Sequence, residues 1–263
     1  MSVESHRDST HHWTEARLPP EHREIAALRI ALDIAFDRCG GARQYLNPWF
    51  DRYQGGPPHD PDMRACLEAF LGSESIGTPA KPANQVHLEG FVAEHLWHVL
   101  ILENAIGFGS PVRVDGPDWS VTDSGGDGLA VYQCGGALVF RLWESKAHTG
   151  DGLVRDVVNG ACRQIDSNAL RYLARFSKVG QSLDNPELQE LYGRLPELWK
   201  NADRRAGGGI SVATAATASS DDFNGFPNYW AFTVDDQRQG LLAVVEDFAS
   251  FAQSVRGHLW KGL

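Results

Sequence analysis

The chain of 263 residues contains no apolar run near the ~20 residues that a membrane-crossing helix needs. Residues 1–20 are polar and carry His6, His11 and His12, unlike a secretory leader, so they are expected to form a mobile leader on a cytoplasmic protein. Cysteine is sparse. Cys39, Cys66, Cys134 and Cys162 lie far apart, with no Cys-x-x-Cys pair and no nearby histidine pair, which excludes a sequence-local zinc module and a disulfide framework. Buried, reduced thiols are the expectation. Positive charge is also short: Lys plus Arg number 24 against 34 for Asp plus Glu, a net charge of -10. A tight, autonomous nucleic-acid binder carries a basic footprint, so this balance argues against one. It leaves open an enzyme that meets nucleic acid transiently or is brought to it by a partner.

What is present fits a soluble α/β chain, with 42% hydrophobic and 22% charged residues and no internal repeat. Residues 21–38 carry Ile25, Leu28, Leu32 and Ala35 at helical spacing, ended by Gly40-Gly41. Residues 45–61 hold Asn-Pro, Gly-Gly-Pro-Pro and Asp-Pro and read as turn and loop, followed by a short helix over 62–71. Residues 72–84, rich in Gly, Ser, Pro and Ala, read as a linker. Segment 21–84 is thus expected as an N-terminal helical extension ahead of a domain over 85–263. Residues 87–104 form a helix that is apolar nearly all round, and so covered on several sides. Glu94 lies inside that apolar pattern, where a carboxylate is costly unless paired, protonated or metal-bound. Glu89 and Glu103 are alternative helix acids, but they share a sector that a solvated edge explains more simply.

Residues 112–114 suggest a short strand and Asp115-Gly-Pro-Asp a turn. A hairpin follows over 127–133 and 137–143, joined at Cys134-Gly135-Gly136. Leu138, Phe140 and Leu142 share one face with Glu144, and Glu144 and Lys146, two apart, project together. A paired strand brings Asp127 beside them. Two carboxylates and a lysine at one sheet edge are the parts of a metal-dependent phosphodiester-cleaving site. Helices are expected over 151–178 and 185–200, strands over 207–217 and 229–234, and a helix over 239–260 that packs on the sheet.

The order of helix with Glu94, strand with Asp127, strand with Glu144-Ser145-Lys146, then helix resembles the PD-(D/E)xK nuclease superfamily, the restriction-endonuclease-like fold. The resemblance runs over about residues 86–217, and Gly-Gly-Asp-Gly-Leu at 125–129 is similar to the glycine-flanked aspartate of some members, although no Pro precedes Asp127. It implies an α/β fold with a central mixed sheet flanked by helices. It also implies Mg²⁺ or Mn²⁺ held by Asp127, Glu144 and Glu94, with Lys146 positioning the attacking water. Some members carry Gln-x-x-x-Tyr in the next helix; here Gln164 is present but Asn168 takes the Tyr position, with Tyr172 one step on. Arg171, Arg175 and Lys178 recur at helical spacing and could track a phosphate backbone, though a solvated basic face is an equal account.

The layout is also similar in style to the nuclease subunit of Hachiman-type anti-phage defence systems, which work with a helicase. The implied function is a divalent-metal-dependent deoxyribonuclease acting with such a partner. The competing expectation is a catalytically silent domain of the same fold that serves binding or assembly. His148 reads as a turn residue.

Overall fold

The computed structural model describes residues 1–40, 42–117 and 126–263. Gly41 of the expected helix stop, Asp118 of the expected turn and Gly125 at the head of the hairpin lie outside the described residues. In chain order the elements are β1 (Ser2–Arg7), β2 (His12–Leu18), α1 (Arg23–Arg38), α2 (Arg43–Tyr53) and α3 (Pro61–Leu71). A small ribbon, β3 (Gly77–Thr78) and β4 (Lys81–Pro82), precedes α4 (Gln85–Leu102), β5 (Pro111–Asp115), β6 (Gly128–Cys134) and β7 (Ala137–His148). Then come α5 (Val154–Gly180), α6 (Pro186–Lys200), β8 (Gly208–Thr214), β9 (Arg238–Val245) and α7 (Phe248–Lys261).

Strand pairing gives one seven-stranded mixed sheet in the order β1-β2-β9-β8-β7-β6-β5. β5, β6 and β7 run as an antiparallel meander, whereas β7, β8, β9 and β2 are parallel neighbours. Alternation sends Leu129, Val131, Phe140, Leu142, Ile210 and Val212 to a core shared with α5 and α6. Ala130, Tyr132, Trp143, Ala213, Leu241 and Ala243 point the other way, to a core built with α1, α4 and α7. Every residue of β8 and β9 is buried, as strands covered on both faces must be. The chain is therefore an α/β structure with a central mixed sheet between two helical layers.

Residues 1–20 are not a mobile leader. β2 pairs in parallel with β9 over the whole of His12–Leu18, and β1 closes that edge. Trp13 is buried, stacked between His6 and Phe223 at centroid distances of 3.9 and 5.3 Å. The segment 21–84 is likewise not a separate extension: Ala27, Ile30, Trp49, Leu67 and Ile76 belong to the same buried cluster as α4, α7 and the sheet. Residues 45–53 are helix rather than loop, despite Pro48 inside α2. Proline removes a helical donor there, and burial of Trp49, whose Nε1 donates to the Leu259 carbonyl at 3.0 Å, outweighs that loss.

Two C-terminal expectations also change. Residues 239–245 belong to strand β9, because the unbroken apolar run over 241–245 fits both periodicities and here lies between two strands. The helix begins only after Asp247, which has φ 48° and accepts from the Ser250 N–H at 3.2 Å. Residues 229–234 are irregular, not strand. Trp230 and Phe232 pack on the α5 side of the sheet, while Arg238 donates to both their carbonyls at 2.7 Å.

Trp13→Ala tests the placement of the N-terminal strands. Truncating a large buried aromatic of this kind costs about 3–5 kcal/mol, read as a lower urea midpoint at an unchanged slope. A change within ~0.5 kcal/mol, the range of ordinary surface substitutions, would restore the mobile leader.

Candidate metal and catalytic site

The β6–β7 hairpin turns through Gly135 and Gly136, at φ 56° and 83°, the paired positive values that a tight two-residue hairpin turn requires. That turn sets the register in which Gly128 faces Trp143, so Asp127, one residue earlier, meets Glu144, one residue later. Two backbone donors cross the mouth of the hairpin. The Ser145 N–H donates to Asp127 Oδ2 at 2.5 Å, and the Gly126 N–H donates to Glu144 Oε2 at 2.8 Å. Gly126 sits at φ +74°, and a Cβ there would lie 2.7 Å from Tyr172 Cγ, so no side chain fits this donor position unstrained.

Glu144 is fully buried and continues the face of Phe140 and Leu142. Lys146 Nζ donates to Glu144 Oε1. Glu94 comes from α4, close enough for its charge to act on Asp127 and Lys146 and to feel Glu144. Burial, with the Glu144 charge adding to it, pushes the Glu94 carboxyl up to about 8. Burial also raises Asp127 well above the ordinary carboxylate range, reinforced by Glu144 and then Glu94. For Lys146 burial acts downward, but the charges of Glu144 and Asp127 outweigh it and hold the ammonium above its usual value. Three carboxyl groups thus face one lysine in a sheltered place, an excess of negative charge that suits a cation.

The other helix acids separate cleanly from this group. Glu89 is not on a solvated edge: it is buried, accepting from Thr149 Oγ1 at 2.9 Å and Gln85 Nε2 at 2.8 Å, and so ties α4 to the end of β7. Glu103 is exposed near Arg29 at 3.7 Å. His148 caps the following turn, with Nε2 at 2.9 Å from the Gly152 carbonyl.

On α5, Gln164 and Arg171 act on the Tyr172 phenol, and the Arg171 guanidinium lies 5.3 Å from the centre of the Tyr172 ring. Burial and then the nearby Glu144 charge raise the Tyr172 phenol. Tyr172, Arg175, Phe176, Gly126 and Asp115 line a cavity of about 260 Å³. Of the basic residues on this helix, Arg175 reaches that cavity; Arg171 and Lys178 are exposed and do not line it.

Sequence reasoning missed Arg38, a buried cation from α1 that acts on Glu94, and a cluster of Asp33, His95 and His98. Asp33 Oδ2 lies 2.9 Å from His95 Nδ1 and 3.0 Å from His98 Nδ1. Burial would raise the Asp33 carboxyl, but the two histidine hydrogen bonds outweigh it and hold it well below the usual range. Burial pushes His95 down. Among the described residues, this is the trio whose ligand atoms all lie within 4.8 Å of one another; Glu94, Asp127 and Glu144 do not close that far. The His-x-x-His spacing in α4 was visible in the sequence, but its third member is on another helix.

The Glu94 shift has a definite sign. A carboxyl raised from 4.5 to about 8 takes up a proton on folding, so its contribution to stability is full below pH ~4.5 and lost as pH rises through ~8. Thermal melts in chelator from pH 5 to 9 should show this decline, and Glu94→Gln should flatten it, leaving the part due to Asp127. Equal slopes in both proteins would remove Glu94 from the buried group. No family model matches the chain and no curated protein matches it, so the chemistry of the site is read from its own residues.

Proposed function

We propose that the chain is a divalent-metal-dependent nuclease that hydrolyses phosphodiester bonds of DNA, with a restriction-endonuclease-like arrangement. The observation that carries this is the meeting of Asp127, Glu144, Lys146 and Glu94 from a hairpin and a covered helix, with Glu94 and Asp127 raised by burial and by neighbouring negative charge. The order of helix, strand, strand and helix in the sequence corresponds to α4, β6, β7 and α5, which supports the resemblance.

The donor set fits Mg²⁺ or Mn²⁺. Mg²⁺ needs only one or two carboxylates and keeps several waters, so the wider spacing of this trio is no obstacle. Asp127 and Glu144 would hold the ion directly, oriented by the Ser145 and Gly126 N–H groups, with Glu94 completing the shell directly or through water. When bound, such an ion polarises a phosphate oxygen and lowers the pKa of a coordinated water.

The chain's own groups do the rest. Lys146 keeps its charge at the rim of the site, where it positions a water and offsets negative charge developing on the phosphate. The buried strand face beneath Glu144 limits bulk water. Arg175, lining the adjoining cavity with Tyr172, offers a positive contact for a flanking phosphate. The net charge of -10 is a weak footprint for holding DNA, and this favours substrate affinity borrowed from a partner such as a helicase, as in an anti-phage defence complex in the cytoplasm.

The same acidic balance favours the second reading, a catalytically silent binding module of this fold. Plasmid nicking with Mg²⁺ or Mn²⁺, by the chain alone or with its partner, separates the two. Glu144→Ala and Lys146→Ala should each cut the rate by about 10²-fold or more while leaving the circular dichroism spectrum unchanged. Nicking that survives both substitutions would remove the site assignment.

A further inference from the structure

We propose that Asp33, His95 and His98 form a second metal site, selective for one Zn²⁺, that clamps α1 to α4. It stands independently of the nuclease reading. His95 and His98 are three apart on α4 and so lie on one face of the helix, opposite Asp33 of α1. Both Nδ1 atoms converge on Asp33 Oδ2, at 2.9 and 3.0 Å, and all three ligand atoms lie within 4.8 Å of one another. A tetrahedral ion bonded at about 2.0–2.1 Å sets its donors about 3.3 Å apart. The two Asp33–histidine distances have to open by only a few tenths of an ångström to receive one.

The surroundings give the ion an entrance and an open position. His95 is fully buried and Asp33 nearly so, whereas the His98 side chain is 16% exposed. Asp33 and His98 form part of the wall of a cavity of about 530 Å³, together with Leu32, Phe36, Leu46 and Phe50. A shell of three protein ligands with its fourth position toward that cavity follows. One turn beyond Asp33, Asp37 acts electrostatically on His95, and its Oδ2 is buried without a hydrogen-bond partner. A cation at the trio would lie within the field of that carboxyl.

The donor set selects the metal. Two imidazoles and one carboxylate suit zinc, whereas Mg²⁺ prefers oxygen ligands and keeps its water. Non-haem Fe²⁺ uses the same donor types but needs several open positions, and among the described residues the side facing the cavity is the one that offers an open position. The two sites therefore sort cations by chemistry: hard ions to the carboxylates near Asp127, zinc to the histidines one residue along α4 from Glu94.

The test uses the full chain, stripped with chelator, dialysed and titrated with Zn²⁺ alone, then with Co²⁺ as a spectroscopic probe. Wild type should bind one equivalent of Zn²⁺ and show the visible bands of tetrahedral Co²⁺. Glu144→Ala should behave the same. His98→Gln, at the cavity rim, and Asp33→Asn should each weaken Zn²⁺ by roughly tenfold or more and lose the Co²⁺ bands. Because Asp33 is buried, His98→Gln with an unchanged circular dichroism spectrum decides the matter if Asp33→Asn fails to fold. Wild type that binds no equivalent, or His98→Gln that binds as tightly as wild type, overturns the site. So does Zn²⁺ binding lost in Glu144→Ala and kept in His98→Gln, which would put the ion among the carboxylates.

Discussion

The separation between α4 and the β6–β7 hairpin is set by one contact, that of the Trp97 ring against Gly128. A Cβ at Gly128 would fall 2.0 Å from that ring, so the helix can come this close only because the strand begins without a side chain. Trp143, the register partner of Gly128, packs on Trp97 from the other strand at a centroid distance of 5.9 Å. Each member of this trio neighbours a residue of the carboxylate site. Glu94 is one turn before Trp97, Asp127 directly precedes Gly128, and Glu144 directly follows Trp143. A bulkier residue at 128 would push α4 outward and carry Glu94 with it, so apolar packing here fixes polar geometry.

That packing holds the site in a state that folding alone does not favour. Two backbone N–H groups, from Gly126 and Ser145, orient the hairpin carboxylates, while among the described residues Lys146 opposes their charge and Arg38 opposes that of Glu94. Raised carboxyls that burial has stripped of water are a local conflict between sequence and fold. Conflicts of this kind gather at functional sites, because the missing partner is supplied from outside the chain.

The hairpin could be read from sequence because its signals are local: period-two alternation, a Gly-Gly turn, and two charged residues two apart. Glu94 was legible for a similar reason, an acid inside a helix with no polar face. The N-terminal strands were not. β1 is a solvent-facing edge strand, so its side chains look like those of a tail, and β2 finds its partner in β9, more than two hundred residues away. β9 gave the wrong period since residues 241–245 are apolar without a break, and α2 was hidden by Pro48, whose cost is met by a contact to Leu259 at the far end of the chain. Asp33 had no signal at all. Its partners are on another helix, and nothing in the spacing of residues 33, 95 and 98 marks them as neighbours.

α4 explains why the N-terminal helices are not an appendage. Consecutive residues on a helix point about 100° apart, so Glu94 and His95 face different neighbours. Glu94 looks to the hairpin and His95 to α1, where Asp33 meets it. The same α1 places Arg38 within electrostatic reach of Glu94, with its guanidinium 4.8 Å from the centre of the Phe91 ring. A helix clasped on several sides can hold two ionisable groups in fixed and different surroundings. α1 therefore supplies charge on both sides of that helix: Asp33 meets His95 on one, and on the other Arg38 adds to Lys146 in opposing the Glu94 charge, with the hairpin residues acting more strongly.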